Sequence, residues 1–184
     1  MQIGILPVGK VNSNIISWIN EQLPFVFPNS NSTIIGEIIS LRKETFNEKR
    51  AQYSSHAILR EVQQYAFRKT SLNRILGIVD ADIFVPRLNF VFGEANCPGK
   101  SALVSLWRLK PKFYGDPPNE PLFFERAIKE TVHELGHTLG LEHCSRLSCI
   151  MHFSNSIADT DKKHVLFCKK CYLQAITSTK LEQN

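Results

Sequence analysis

Long apolar runs are absent from this chain. None approaches the roughly 20 residues that a membrane-spanning helix requires, so no membrane partner is expected. One-sided charge is absent as well. The 22 basic and 17 acidic side chains leave +5, and the basic ones occur as scattered pairs (Arg42-Lys43, Arg68-Lys69, Lys162-Lys163, Lys169-Lys170). Without a basic stripe, no nucleic-acid partner is expected. There is no internal repeat and no low-complexity linker, and 184 residues suffice for one core. The expectation is a single domain over residues 1–184, monomeric. The opening MQIGILPVGK lacks a basic start, a long enough apolar centre and a small-residue cleavage site. It predicts no export, no activating propeptide and a cytoplasmic location. Cysteine is scarce and uneven: of five, four follow residue 143.

Coarse periodicity predicts strands at 2–8, 34–41, 75–79, 89–94 and 102–109, and helices at 14–23 and 55–69. Ile75 to Val79 has no polar side chain, as in a buried central strand. Ile58, Leu59, Val62, Tyr65 and Ala66 make one helix face. A further helix at about 119–139 is introduced by prolines suited only to a first turn, with Asp116 or Asn119 as its cap. The order implies an α/β (mixed α+β) fold, a twisted mixed sheet with helices packed on it.

The end of that helix reads HExxHxxGxxH over residues 133–143. HExxH alone recurs by accident in about one chain in a few hundred; the added Gly and His reduce this to about one in 10⁵. His133 and His137 lie one helical turn apart on one face, where a tetrahedral zinc ion takes both at about 2.0–2.1 Å. Gly140 enters the left-handed conformation that ends the helix, and the turn brings His143 back as third ligand. Three ligands leave one position for water, the arrangement of a catalytic zinc. Glu134, beside the first ligand, is placed as general base for zinc-activated water.

Cys144 and Cys149 form C-x4-C, and Cys168 and Cys171 form C-x2-C. Such pairs read as a closed four-thiolate zinc site, giving two zinc ions per chain, one catalytic and one structural. Disulfides are the rival reading and would need an oxidising compartment. Cys144 follows His143, so this second metal would act as a clasp on the third catalytic ligand. Cys97, in an Asn-Cys-Pro-Gly turn, is given no role.

With Met151 close behind, the motif resembles the metzincin clan of zinc peptidases. The cysteine pattern over 144–171, with the segments 88–95 and 104–106, resembles the archaemetzincin family in particular. The resemblance implies a metzincin-like catalytic domain and catalytic zinc on His133, His137 and His143. It also implies a second zinc on Cys144, Cys149, Cys168 and Cys171, Met151 in a turn beneath the first metal, and an antiparallel edge strand near 90–94 bordering the cleft. Phe153 stands where some metzincins have a tyrosine. The expected function is a zinc metallopeptidase acting on a peptide or protein substrate. The alternatives are a catalytically idle zinc-binding peptide-interaction module and a zinc hydrolase of non-peptide amides. Glu94, Glu120 and Glu142 are candidates for holding a substrate amine.

Overall fold

The structure, a computed structural model, describes residues 1–69 and 71–181. Its strands are β1 (Gln2–Val8), β2 (Asn31–Ile34), β3 (Phe46–Asn47), β4 (Gln52–Ser54), β5 (Arg74–Val79), β6 (Ile83–Phe84), β7 (Gly93–Ala95) and β8 (Ser101–Ser105). Its helices are α1 (Ser13–Val26), α2 (Ser55–Arg68), α3 (Glu120–Thr138), α4 (Ile157–Lys162) and α5 (Lys169–Leu181). The main sheet has five strands in the order β2-β1-β5-β8-β7. The first four are parallel, and β7 is antiparallel to β8 at the edge. A smaller sheet, β3-β4-β6, stands apart.

Both faces of the main sheet are covered, which is why β5 and β8 are buried along their whole length. Ile3, Ile5, Leu76, Ile78, Ala102 and Val104 pack on one side with α1 and α3. Leu6, Val8, Ile75, Val79 and Leu103 pack on the other with α2. The helix expected at about 119–139 runs along the first face and is capped by Asn119, whose side chain accepts from Leu122 N–H at 3.1 Å. No helix among the described residues is long and apolar enough to cross a membrane.

Four sequence expectations change, one of them the strand predicted at 89–94, of which only Gly93 and Glu94 pair, within β7. The first predicted helix ends at Leu23, yet α1 continues through Pro24 to Val26. Pro24 leaves the Asn20 carbonyl without its helical donor, and Ser32 Oγ supplies one at 2.7 Å. The predicted strand at 34–41 is instead β2 at 31–34, followed by an irregular segment that keeps to β1 only by separate bonds such as Ile39 N–H to Pro7 O, 3.0 Å. Glu37 turns outward there to accept from Tyr65 and Lys69. The strand predicted at 102–109 ends at Ser105, and Trp107–Leu109 forms a 3-10 turn.

Candidate active site

The last turn of α3 closes with Gly140 at φ 81°. Gly140 N–H donates to His137 O at 2.8 Å and Leu141 N–H to Gly136 O at 3.2 Å, a Schellman ending that reverses the chain. His143 returns over the helix, with its ring centroid 5.4 Å from that of His133 and 4.9 Å from that of His137. One ligand atom from each of the three rings can be chosen so that all lie within 4.8 Å of one another.

Orientation comes from outside the helix. His133 Nδ1 donates to Ile150 O at 2.8 Å and His137 Nδ1 to Leu141 O at 2.7 Å. Each bond fixes the tautomer that leaves Nε2 bare, and the two Nε2 atoms are 3.1 Å apart. Tetrahedral ligands at 2.0–2.1 Å would be about 3.3 Å apart, so the donor set fits one zinc ion. Burial pushes all three histidines below their ordinary pKa, most strongly His133, where the charge of Lys163 adds to the effect. Neutral imidazole is the form that ligates metal.

Glu134 is buried on the same floor. Burial first, then the charge of Glu130, pushes its carboxyl well above the ordinary range. Strand β7 comes close because residue 93 is glycine: a Cβ there would lie 2.5 Å from Glu134 Cγ and 2.6 Å from the Leu103 carbonyl. Beneath the histidines sits fully buried Met151. Gly136 admits it, since a Cβ on residue 136 would stand 2.4 Å from Met151 Sδ. His143 also packs on Phe153, centroid to centroid 5.0 Å.

A cleft of ≈ 500 Å³ opens above this floor between the segment leading into β7 and the chain after Met151. Phe90, Phe92 and Ala95 line one side, and Phe153, Ser154 and Asn155 the other. Ser154 Oγ is buried with no partner among the described residues.

The four later cysteines also converge, with sulfur atoms within 4.8 Å of one another and Cys144 Sγ 3.9 Å from Cys168 Sγ. Ligands at 2.3 Å around a tetrahedral zinc stand about 3.8 Å apart, so this cluster also fits a metal. All are free thiols. The Cys171 backbone N–H brings Cys168 down to about 7, whereas burial raises Cys149 and Cys171. Cys144 is held independently as well: its N–H donates to Met151 O at 2.8 Å, and its carbonyl accepts from His152 Nδ1 at 2.9 Å.

Of the three glutamates considered for a substrate amine, only Glu94 lines the cleft. Its carboxylate is already engaged by Ser55 Oγ at 2.5 Å and by His56 Nδ1. Glu120 begins α3, about 20 Å of helix away from Glu134. Cys97 borders the cleft but is pushed up by burial and by Glu142, which leaves it a protonated thiol.

A buried support was not foreseen. Glu130, one turn before Glu134, accepts from Thr160 Oγ1 at 2.9 Å and from Lys163 Nζ at 3.0 Å. Arg126 forks onto Asp161 with two bonds of 2.7 Å. These pairs bind α4 to the back of α3. The sequence signal was faint: Glu130 shares a helical stripe with Glu134, while Lys163 lies in an unmarked loop.

A parallel-rich sheet with one antiparallel edge, a histidine-bearing helix beneath it and a methionine turn under the histidines define a metzincin-type zinc metallopeptidase. The family model for Peptidase family M54 matches residues 29–176, and the chain belongs to that family. It is 43% identical to an archaemetzincin of Methanocaldococcus jannaschii, over 93% of this chain and 90% of that one. The crystal structure of an archaemetzincin from Archaeoglobus fulgidus superposes with TM-score 0.81 at 37% identity, covering 95% of this chain and 99% of that one. For the archaemetzincin of Methanopyrus kandleri the TM-score is 0.85 at 32% identity, covering 98% and 96%.

Proposed function

We propose that His133, His137 and His143 hold a catalytic zinc ion and that Glu134 is the general base for peptide-bond hydrolysis. Cys144, Cys149, Cys168 and Cys171 hold a second, structural zinc ion. The observation that carries this reading is the pair of bare Nε2 atoms 3.1 Å apart on the cleft floor, each turned there by a carbonyl on its Nδ1. Bound zinc supplies a Lewis acid that polarises the scissile carbonyl and makes water nucleophilic near neutral pH.

The chain's own groups do the remaining work. Glu134 takes the proton released as water attacks and delivers it to the leaving amine. Its place on α3, against Gly93, sets it beside the histidines rather than among them. The outer edge of β7 offers backbone donors and acceptors to an extended peptide, which demands little of substrate sequence. Phe153 presents no hydroxyl, so this side chain offers an oxyanion no hydrogen bond. This reading takes residues 1–184 as one catalytic domain, monomeric and cytoplasmic.

The test combines elemental analysis with a peptide library, with and without a chelator. Expected are close to two zinc ions per chain and turnover that chelation abolishes and zinc restores. Turnover unchanged after His133, His137 and His143 are replaced by alanine would overturn the catalytic assignment. Loss of no metal in Cys168→Ser/Cys171→Ser would overturn the structural one.

A further inference from the structure

The turn at one rim of the cleft carries a charge that the catalytic reading does not use. Val85-Pro86-Arg87-Leu88 closes with Leu88 N–H donating to Val85 O at 3.2 Å, and Arg87 sits at φ 72°. Proline in the second place and positive φ in the third make a type II turn, whose third place suits glycine or asparagine. An arginine there is strained, and such strain persists only where the surroundings impose it. Here they do. Arg50 Nη2 donates to Leu88 O at 2.7 Å and to Asn89 O at 2.9 Å, and Gln52 Nε2 donates to Asn89 O at 3.0 Å. The Arg50 guanidinium in turn lies 4.4 Å over the Phe84 ring. The rim is bolted to the small sheet behind it.

Among the described residues lining the cleft, Arg87 is the only arginine or lysine. The other charged groups are committed elsewhere: Glu94 to Ser55 and His56, Glu130 to Thr160 and Lys163, Glu134 to the chemistry. The exposed Arg87 side chain has no hydrogen bond, ion pair or ring contact among the described residues. A free guanidinium on a fixed turn at the mouth of a cleft is a fork matched to a carboxylate.

We propose that Arg87 is a specificity-determining residue that pairs with a carboxylate of the bound peptide. The substrates favoured are those that place an acidic side chain, or their free carboxyl terminus, at the Arg87 end of the cleft. This rests on the peptidase reading, and the experiment separates the two.

Matched peptides carry Glu, Gln or Lys at successive positions on both sides of the scissile bond, each made with a free or an amidated carboxyl terminus. Turnover is measured on the zinc-loaded enzyme, and binding on zinc-loaded Glu134→Gln. Both are repeated with Arg87→Gln, Arg87→Lys and Arg87→Gly; the glycine variant relieves the backbone and so retains the fold. The expected result is a preference of about tenfold for the acid over its amide at one place, seen in KM and Kd rather than kcat and weakened by salt. The ratio falls to about one in Arg87→Gln and Arg87→Gly and is partly kept in Arg87→Lys. A Glu-over-Gln difference identifies a side chain as the source, and an acid-over-amide difference at the terminus identifies the carboxyl end. Equal handling of Glu, Gln and Lys at every place with both termini, or a preference that survives Arg87→Gly, overturns the proposal while leaving the peptidase reading intact. If the unmutated chain neither binds nor cleaves any peptide of the set, both fall together.

Discussion

Gly136→Ala measures how firmly Met151 is seated beneath the histidines. Inside a helix, alanine is favoured over glycine by about 1 kcal/mol, so propensity alone predicts stabilisation. The new Cβ, however, would lie 2.4 Å from Met151 Sδ, 3.1 Å from Met151 Cε and 3.3 Å from Phe167 Cε1. A thioether usually swings aside, but Met151 is fully buried and shares its core with Leu135, Leu139 and Cys149. Overpacking of this kind costs about 1–3 kcal/mol, so the expected net result is a loss of about 1 kcal/mol. Zinc affinity at the histidines should fall with it, because the residue before Met151 supplies the carbonyl that orients His133. Urea unfolding gives the first quantity, and competitive zinc titration the second. Met151→Ala added to Gly136→Ala should cost less than the two single changes summed, since it makes room for the methyl group. A Gly136→Ala protein about 1 kcal/mol more stable than its parent, with unchanged zinc affinity, would refute the reasoning.

Glu134→Gln should keep its zinc and lose turnover by a factor on the order of 10²–10⁴, checked by elemental analysis beside steady-state kinetics. In chelator-stripped protein the same change should stabilise at pH 7. The folded carboxyl is raised, so ionisation costs the fold stability as pH climbs above the unfolded value near 4.5. With that carboxyl removed, the depressed histidines set the trend. Their stability contribution is complete above about pH 6.5 and declines as pH falls below it, where the unfolded state takes up protons first; urea midpoints across that range test the sign. Cys144→Ser should weaken zinc binding at the histidines by about 10–100-fold without touching that metal. An unchanged affinity would mean that the bonds of Cys144 to Met151 and His152 suffice to hold His143. Lys163→Met should destabilise by about 3–5 kcal/mol, because Glu130 is left buried without its cation, whereas Glu130→Met/Lys163→Met should recover most of the loss in thermal unfolding.

The convergence of the three histidines was legible in the sequence because each local rule there has one geometric solution. A four-residue step fixes His133 and His137 on one helix face, and a glycine at 140 forces the turn that returns His143. The central strands were legible because burial on both faces leaves no polar residue to interrupt them. What escaped was decided by partners distant in sequence. Pro24 reads as a stop until Ser32 is known to serve the orphaned carbonyl of Asn20. The strands of the small sheet are two or three residues long, too short for any period to register. Gly93 and Gly136 look like helix- or strand-weakening residues until Glu134 and Met151 are found filling the space they leave. Arg87 could not be told from any surface arginine without the backbone angle beneath it.

The carbonyls that orient His133 and His137 belong to Ile150 and Leu141, both downstream of the helix. During synthesis, therefore, the helix can form with its two histidines in place while their rings are still free to spin. The partner of His133 emerges only with residue 150, and the last of the four cysteines only with residue 171. A nascent chain thus has no oriented His133 ring before residue 150 and no complete set of four thiols before residue 171. The connectivity itself sets the order in which the two clusters are completed.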